Sequence, residues 1–115
     1  MTKVYAMFHL VSAPQCVTNA EGRPYRFQEV VLKGTGENDG EWFHARIIGE
    51  DIERIGAKLE PLPVTQRGNP QGEFVVSLKH NYSVAEREDR PCYYSRIRIL
   101  DVEPLQEEQC ENVRM

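Results

Sequence analysis

The most constraining feature of this chain is a two-residue alternation of side-chain character that recurs in short segments and is broken each time by turn residues. Val4, Ala6, Phe8 and Leu10 alternate with Tyr5, Met7, His9 and Val11. Successive side chains of a strand point to opposite faces, so this spacing predicts a strand covered at least partly on both sides. Residues 14–22 are rich in turn formers. Alternation resumes at Tyr25, with Tyr25, Phe27, Glu29 and Val31 on one face and Arg26, Gln28, Val30 and Leu32 on the other, and the second strand ends near Lys33. The cluster from Gly34 to Gly40 contains Asp39-Gly40, a strong hairpin signal, and residues 42–48 form the returning third strand.

Gly49 closes that strand. Residues 51–56 read as one or two helical turns, with Asp51 near the start and Gly56 at the C-cap. Pro61 and Pro63 restrict residues 59–65 to an edge strand or an extended connection, and residues 67–72 form a loop. Phe74, Val75, Val76 and Leu78 mark a fourth strand, the polar run 85–91 is a hairpin tip, and residues 93–102 are the last strand. Three strands, a helical turn and two more strands predict an all-β fold: a small five-stranded antiparallel barrel of the OB type, with one short helical turn and an extended hairpin. A seven-strand sandwich needs more strands than the chain supplies, and an SH3-like barrel is the nearest alternative.

The 115 residues suit one domain, assigned to 1–105, followed by an acidic tail at 106–115 with few apolar residues and no periodicity, which is expected to be disordered. The net charge of −4 resides at that end. Residues 1–100 hold 13 basic and 13 acidic side chains, whereas the last fifteen hold five acids against Arg114 alone. No run approaches the roughly 18 apolar residues of a membrane helix, so no membrane association is predicted. Cys16, Cys92 and Cys110 are an odd, widely spaced set that suits neither a disulfide framework nor a zinc site, and they predict reduced thiols in a cytoplasmic protein. Phosphate loop, H-E-x-x-H, nucleophile elbow and Cys-x-x-Cys are all missing, and His9, His44 and His80 lie far apart. The expectation is a non-enzyme without cofactor or metal.

Aromatic residues and arginines are interleaved on three predicted strands: Arg23, Tyr25 and Phe27; Trp42, His44 and Arg46; Tyr94, Arg96 and Arg98. Bases stack on aromatic faces at about 1–3 kcal/mol each while arginines neutralise phosphates, so a face bearing both can follow an unpaired strand without reading its sequence. Periodicity alone leaves a second reading open, in which Tyr25, Phe27 and Trp42 fill the core and the arginines solubilise the opposite face. Glu29, on the same face as Tyr25 and Phe27, fits a projecting strand end better than a buried one.

The run Gly22-Arg23-Pro24-Tyr25-Arg26-Phe27-Gln28-Glu29, followed by an apolar strand, an acidic turn and the pair Trp42-Phe43, resembles the gene V type single-stranded DNA-binding proteins of filamentous bacteriophages. Their DNA-binding wing carries a similar Gly-Lys-Pro-Tyr-x-Leu-x-Glu run. The closing Ser95-Arg96-Ile97-Arg98-Ile99, ending at Pro104, is similar to their final Arg-x-Arg strand. The matches cover residues 22–48 and 93–104. The resemblance implies that Tyr25 and Phe27 stack on bases, that Arg23, Arg96 and Arg98 contact phosphates, and that Trp42 and Arg46 line the same groove. It also implies a homodimer in which Tyr82, on the last hairpin, reaches the neighbouring groove.

The expected ligand is therefore single-stranded DNA, coated cooperatively during phage or mobile-element replication in a bacterial cytoplasm, with RNA as the ligand the same chemistry also accepts. The acidic tail is expected to contact a replication partner, compete with DNA, or only solubilise the chain end. The rival expectation is an OB or SH3-like protein-interaction subunit that binds no nucleic acid, for which a neutral body is the natural composition.

Overall fold

The computed structural model describes residues 2–87 and 89–105, with backbone alone for 82–87 and 90–95. Six strands, one helix and one 3-10 turn follow in the order β1 (Thr2–Val11), β2 (Gln15–Thr18), β3 (Pro24–Gly34), the turn Gly36–Asn38, β4 (Trp42–Ile48), α1 (Asp51–Leu59), β5 (Phe74–Arg87) and β6 (Arg90–Pro104). Residues 106–115, and with them the expectations for the acidic tail, lie outside the described residues.

The strands form one sheet in the order β1-β5-β6-β4-β3-β2, and β1 also pairs with β3. Hydrogen bonding thus returns on itself through β1, β5, β6, β4 and β3, while β2 is attached to β3 outside this circuit. The pairs are antiparallel except β4 with β6, which run parallel with Ala45 opposite Ile97 and Arg46 opposite Arg98. That corrects the expectation of a purely antiparallel arrangement. A parallel pair needs a long crossover, and α1 followed by β5 supplies it.

The circuit encloses an apolar core. Val4, Ala6 and Phe8 of β1 meet Val30 and Leu32 of β3, Ala45 and Ile47 of β4, Phe74, Val76 and Leu78 of β5, and Ile99 and Val102 of β6. Phe8 and Phe74 pack edge to face with centroids 5.0 Å apart. Ile55 carries α1 into the same cluster. Outside the core, the helix is tied to β3 by the paired contacts of Arg26 with Glu53, at 2.6 and 3.0 Å. It is tied to β6 by Lys58, which reaches Asp101 at 2.8 Å and Glu103 at 2.7 Å, and by Arg54, which donates to Asp101 at 3.1 Å and to the Leu100 carbonyl.

Five local expectations change. Leu10 does not continue the buried series of β1 but is 51% exposed, because a bulge between Phe8 and Leu10 shifts the alternation by one residue. The turn-rich stretch before Tyr25 contains β2, a sixth strand whose four residues are all exposed; backbone pairing to β3 holds it, so periodicity carries no trace of it. The helix passes Gly56 and ends at Leu59, whose side chain packs against the core. Residues 60–70 form no edge strand: Leu62 N–H bonds the Leu59 carbonyl, and a single bridge joins Val64 to Pro70. The last hairpin also reaches further than expected, pairing through Arg87 and Arg90. No helix among the described residues is long and apolar enough to cross a membrane.

Candidate functional site

Strand parity decides what faces outward. Val30 and Leu32 of β3 and Ala45 and Ile47 of β4 point into the core, so the residues between them point away from it. The outward cross-strand neighbours are Lys33 with Trp42, Val31 with His44, Glu29 with Arg46, and Phe27 with Ile48. On β6, Ile97 and Ile99 face the core, which leaves Arg96 and Arg98 outward beside β4.

This face holds a cavity of about 250 Å³ lined by Tyr25, Arg46, Ile48, Asn81, Arg96, Ile97 and Arg98. A shallower hollow of about 150 Å³, lined by His44, Arg46, Arg96 and Ile97, adjoins it through shared walls. Together they make a groove across β3, β4, β6 and β5. Four predicted site residues, Tyr25, Arg46, Arg96 and Arg98, come together here from three strands.

The three arginines differ in how they are held. Arg46 lies between Glu29, whose Oε1 accepts from its Nη2 at 3.2 Å, and the Phe27 ring, whose centroid is 4.1 Å from the guanidinium carbon. His44 Nε2 stands 3.5 Å from the other Glu29 oxygen. Arg98 donates Nη2 to Asp51 Oδ2 at 3.1 Å, and its Nε is buried without a hydrogen-bond partner among the described residues. Arg96 is exposed and makes no ion pair among the described residues. Arg46 and Arg98 are thus oriented by carboxylates, and Arg96 is held by none among the described residues.

Phe27 departs from the expectation of a free stacking face. Its ring is 5% exposed, roofed by Arg46 and flanked by Tyr25 at a centroid distance of 5.5 Å. It stands outside the main core cluster, so the ring belongs to a small covered layer on the outer face and serves as a floor for Arg46. Tyr25, half-buried, is the ring that reaches the groove.

Tyr25 sits near the turn of the β2–β3 hairpin, opposite Val17 of β2. Asn19 shapes its turn: Oδ1 accepts from the Glu21 and Arg23 amides at 3.0 and 2.9 Å, and Gly22 takes a φ of +78°, which suits a residue without Cβ. Arg23 is exposed on this turn and does not line the groove. Trp42 shares the outward face but stands about 13 Å along β4 from Arg46, four residues at a strand's rise, and it too does not line the groove. It is 54% exposed, meets His9 edge to face at 4.9 Å, and has Lys33 Nζ 5.9 Å from its centroid. Tyr82 pairs with Ser95 through its backbone, and its side chain lies outside the described atoms.

His44, Ile48 and Asn81 line the site without having been assigned to it. The alternation of Trp42, His44 and Arg46 already put His44 on this face. Asn81 enters only through its register opposite Arg96, which no local pattern announces. An apolar wall beside Tyr25, with arginines across the floor, offers a flat aromatic group a stacking surface and an anionic group several donors. The chain matches no known protein family, no characterised protein and no solved structure.

Proposed function

We propose that this protein binds single-stranded DNA with little sequence preference, laying the strand in the groove where Tyr25 stacks on a base and Arg46, Arg96 and Arg98 meet phosphates. The observation that carries this reading is the convergence of those four side chains on one cavity of about 250 Å³. In this reading the closed circuit of β1, β3, β4, β6 and β5 is an OB-type barrel, with β2 as an addition. The helix between β4 and β5 and the closure through one parallel pair support that assignment. So does the groove's position, since OB-type barrels use the face of their second and third strands, here β3 and β4, for oligonucleotides.

The proposed kinship with the filamentous-phage proteins rests on the hairpin of β2 and β3, which projects Arg23 and leads into Tyr25 as a binding wing would. The proposed homodimer rests on the last hairpin. β1 pairs with β5 only from Phe74 to Leu78, while β5 and β6 continue together to Arg87 and Arg90. A two-stranded ribbon is marginal alone, and a second copy would cover it. Coating of a phage or mobile-element genome follows from the same kinship.

One observation favours the rival, a protein-interaction surface: Arg46 and Arg98 already have carboxylate partners, Glu29 and Asp51. Competition separates the two. At low salt the protein should hold a labelled oligo-dT against excess duplex of the same length. An oligo-dT that is not held leaves the interaction-subunit reading.

A further inference from the structure

The loop between α1 and β5 is a built structure, where sequence patterning predicts an edge strand or extended connection over residues 59–65 and a loop over 67–72. Thr65 N–H donates to the Asn69 carbonyl at 2.8 Å, Gly68 N–H returns to the Thr65 carbonyl at 2.9 Å, and Gln71 N–H reaches the Pro63 carbonyl at 2.9 Å. These bonds close a tight turn with Gln66 and Arg67 exposed at its tip. Asn69 is 5% exposed, and it fastens the turn to the bulge of β1. Its Oδ1 accepts from Val11 N–H at 3.1 Å and its Nδ2 donates to the His9 carbonyl at 2.9 Å. The bulge that turned Leu10 outward is therefore the point where the loop is clamped.

Between loop and strand lies an open cavity of about 430 Å³ lined by Phe8, His9, Thr65, Gln66, Arg67 and Asn69. His9 is also the edge-to-face neighbour of Trp42, so the cavity continues the outward surface of β4 past its exposed tryptophan. Arg67 makes no ion pair among the described residues. A cationic tip, the exposed Gln66 amide and a half-exposed indole are elements that hold an unpaired nucleotide: phosphate on Arg67, base on Trp42.

We infer that the cavity between His9 and the Arg67 loop is a second nucleotide subsite, through which the same strand runs after leaving the groove along β4. The inference rests on the proposed single-strand binding. Trp42 stands four residues, about 13 Å, along β4 from Arg46, so a strand must run past the groove to engage the loop. Asn69 acts here as a positioning residue that holds Arg67 over the cavity.

The test compares oligo-dT of about 4 and about 16 nucleotides, the two ends of the usual site sizes for one OB-type unit. The chain has one tryptophan, so its fluorescence reports on this subsite alone. The 16-mer should quench Trp42 more fully than the 4-mer. Arg67→Ala should weaken the 16-mer severalfold and flatten its dependence of log affinity on log salt by about 0.7, and should weaken the 4-mer less. The exposed Arg67→Gln variant should repeat both effects, which separates lost charge from lost folding. If the wild type binds the 16-mer and both variants match it at both lengths, the subsite is refuted and the groove stands. If the wild type binds neither oligomer, the single-strand reading fails and takes the subsite with it.

Discussion

The guanidinium of Arg46 lies 4.1 Å over the Phe27 ring, so a covered aromatic of the outer face is the seat of an arginine. The stack holds Arg46 toward the groove without consuming all of its donors, since one Nη2 contact to Glu29 is its only ion pair among the described residues. Orientation of a long side chain before a ligand arrives lowers the entropy lost on binding.

This relationship separates two neighbouring aromatic substitutions. Tyr25→Ala removes a half-exposed stacking ring and should weaken oligo-dT binding by about 1–3 kcal/mol with little change in melting temperature. Phe27→Ala removes a covered ring and should destabilise the fold by about 3 kcal/mol, weakening binding through Arg46. Thermal melts beside binding titrations check both; equal melting temperatures for the two variants would invert the assignment.

The arginines separate similarly. Arg96→Ala should leave stability unchanged and reduce the salt slope by about 0.7, because nothing in the described fold depends on that guanidinium. Arg98→Ala should reduce the slope by a similar amount and also lower the melting temperature, because it removes a partner from Asp51 of α1. Salt titrations paired with melts distinguish them.

Much of this was legible in the alternation. The outward series Trp42, His44, Arg46 and the pair Arg96, Arg98 follow from period two alone. The face of Phe27 was also legible, but its cover was not, because Arg46 reaches it across a strand pair whose register no local pattern fixes. β2 escaped because four exposed residues leave no periodic mark, and the Asn69 clamp because it joins positions 58 and 60 residues apart. The β1 bulge moved Leu10 for the same reason: an inserted residue resets parity without any change in composition.

Gly34 should tolerate no side chain. A Cβ there would stand 2.0 Å from the Asn38 carbonyl oxygen, and the Gly36–Asn38 turn could retreat only by giving up the bond from Tyr5 N–H to Asn38 Oδ1, at 2.8 Å. Gly34→Ala should therefore cost about 3 kcal/mol or more, the upper range for overpacking, as read by denaturant unfolding. A wild-type midpoint would contradict the packing described.

Acid should loosen α1 from β6. Burial pushes the Asp101 carboxyl up, but hydrogen bonds from Lys58, Val102 N–H and Arg54 outweigh it and hold the group below its ordinary range. A carboxylate depressed in the folded state adds stability that is complete above its unfolded value, near 4, and is lost as pH falls through the lower folded value. Asp101→Asn should cost up to about 1 kcal/mol at pH 7, a modest figure because the side chain is 37% exposed, and nothing once pH is well below that window. Unfolding of both forms at pH 7 and near pH 2 checks the convergence.

Single-strand binding by the groove arginines is decided by the affinity for oligo-dT measured from about 50 to 200 mM salt. With three groove arginines each releasing about 0.7 of a counterion, log affinity should fall linearly with log salt at a slope of about −2 or steeper, and Arg96→Ala should make it shallower. No binding at 50 mM salt, or a slope near zero, would contradict the account.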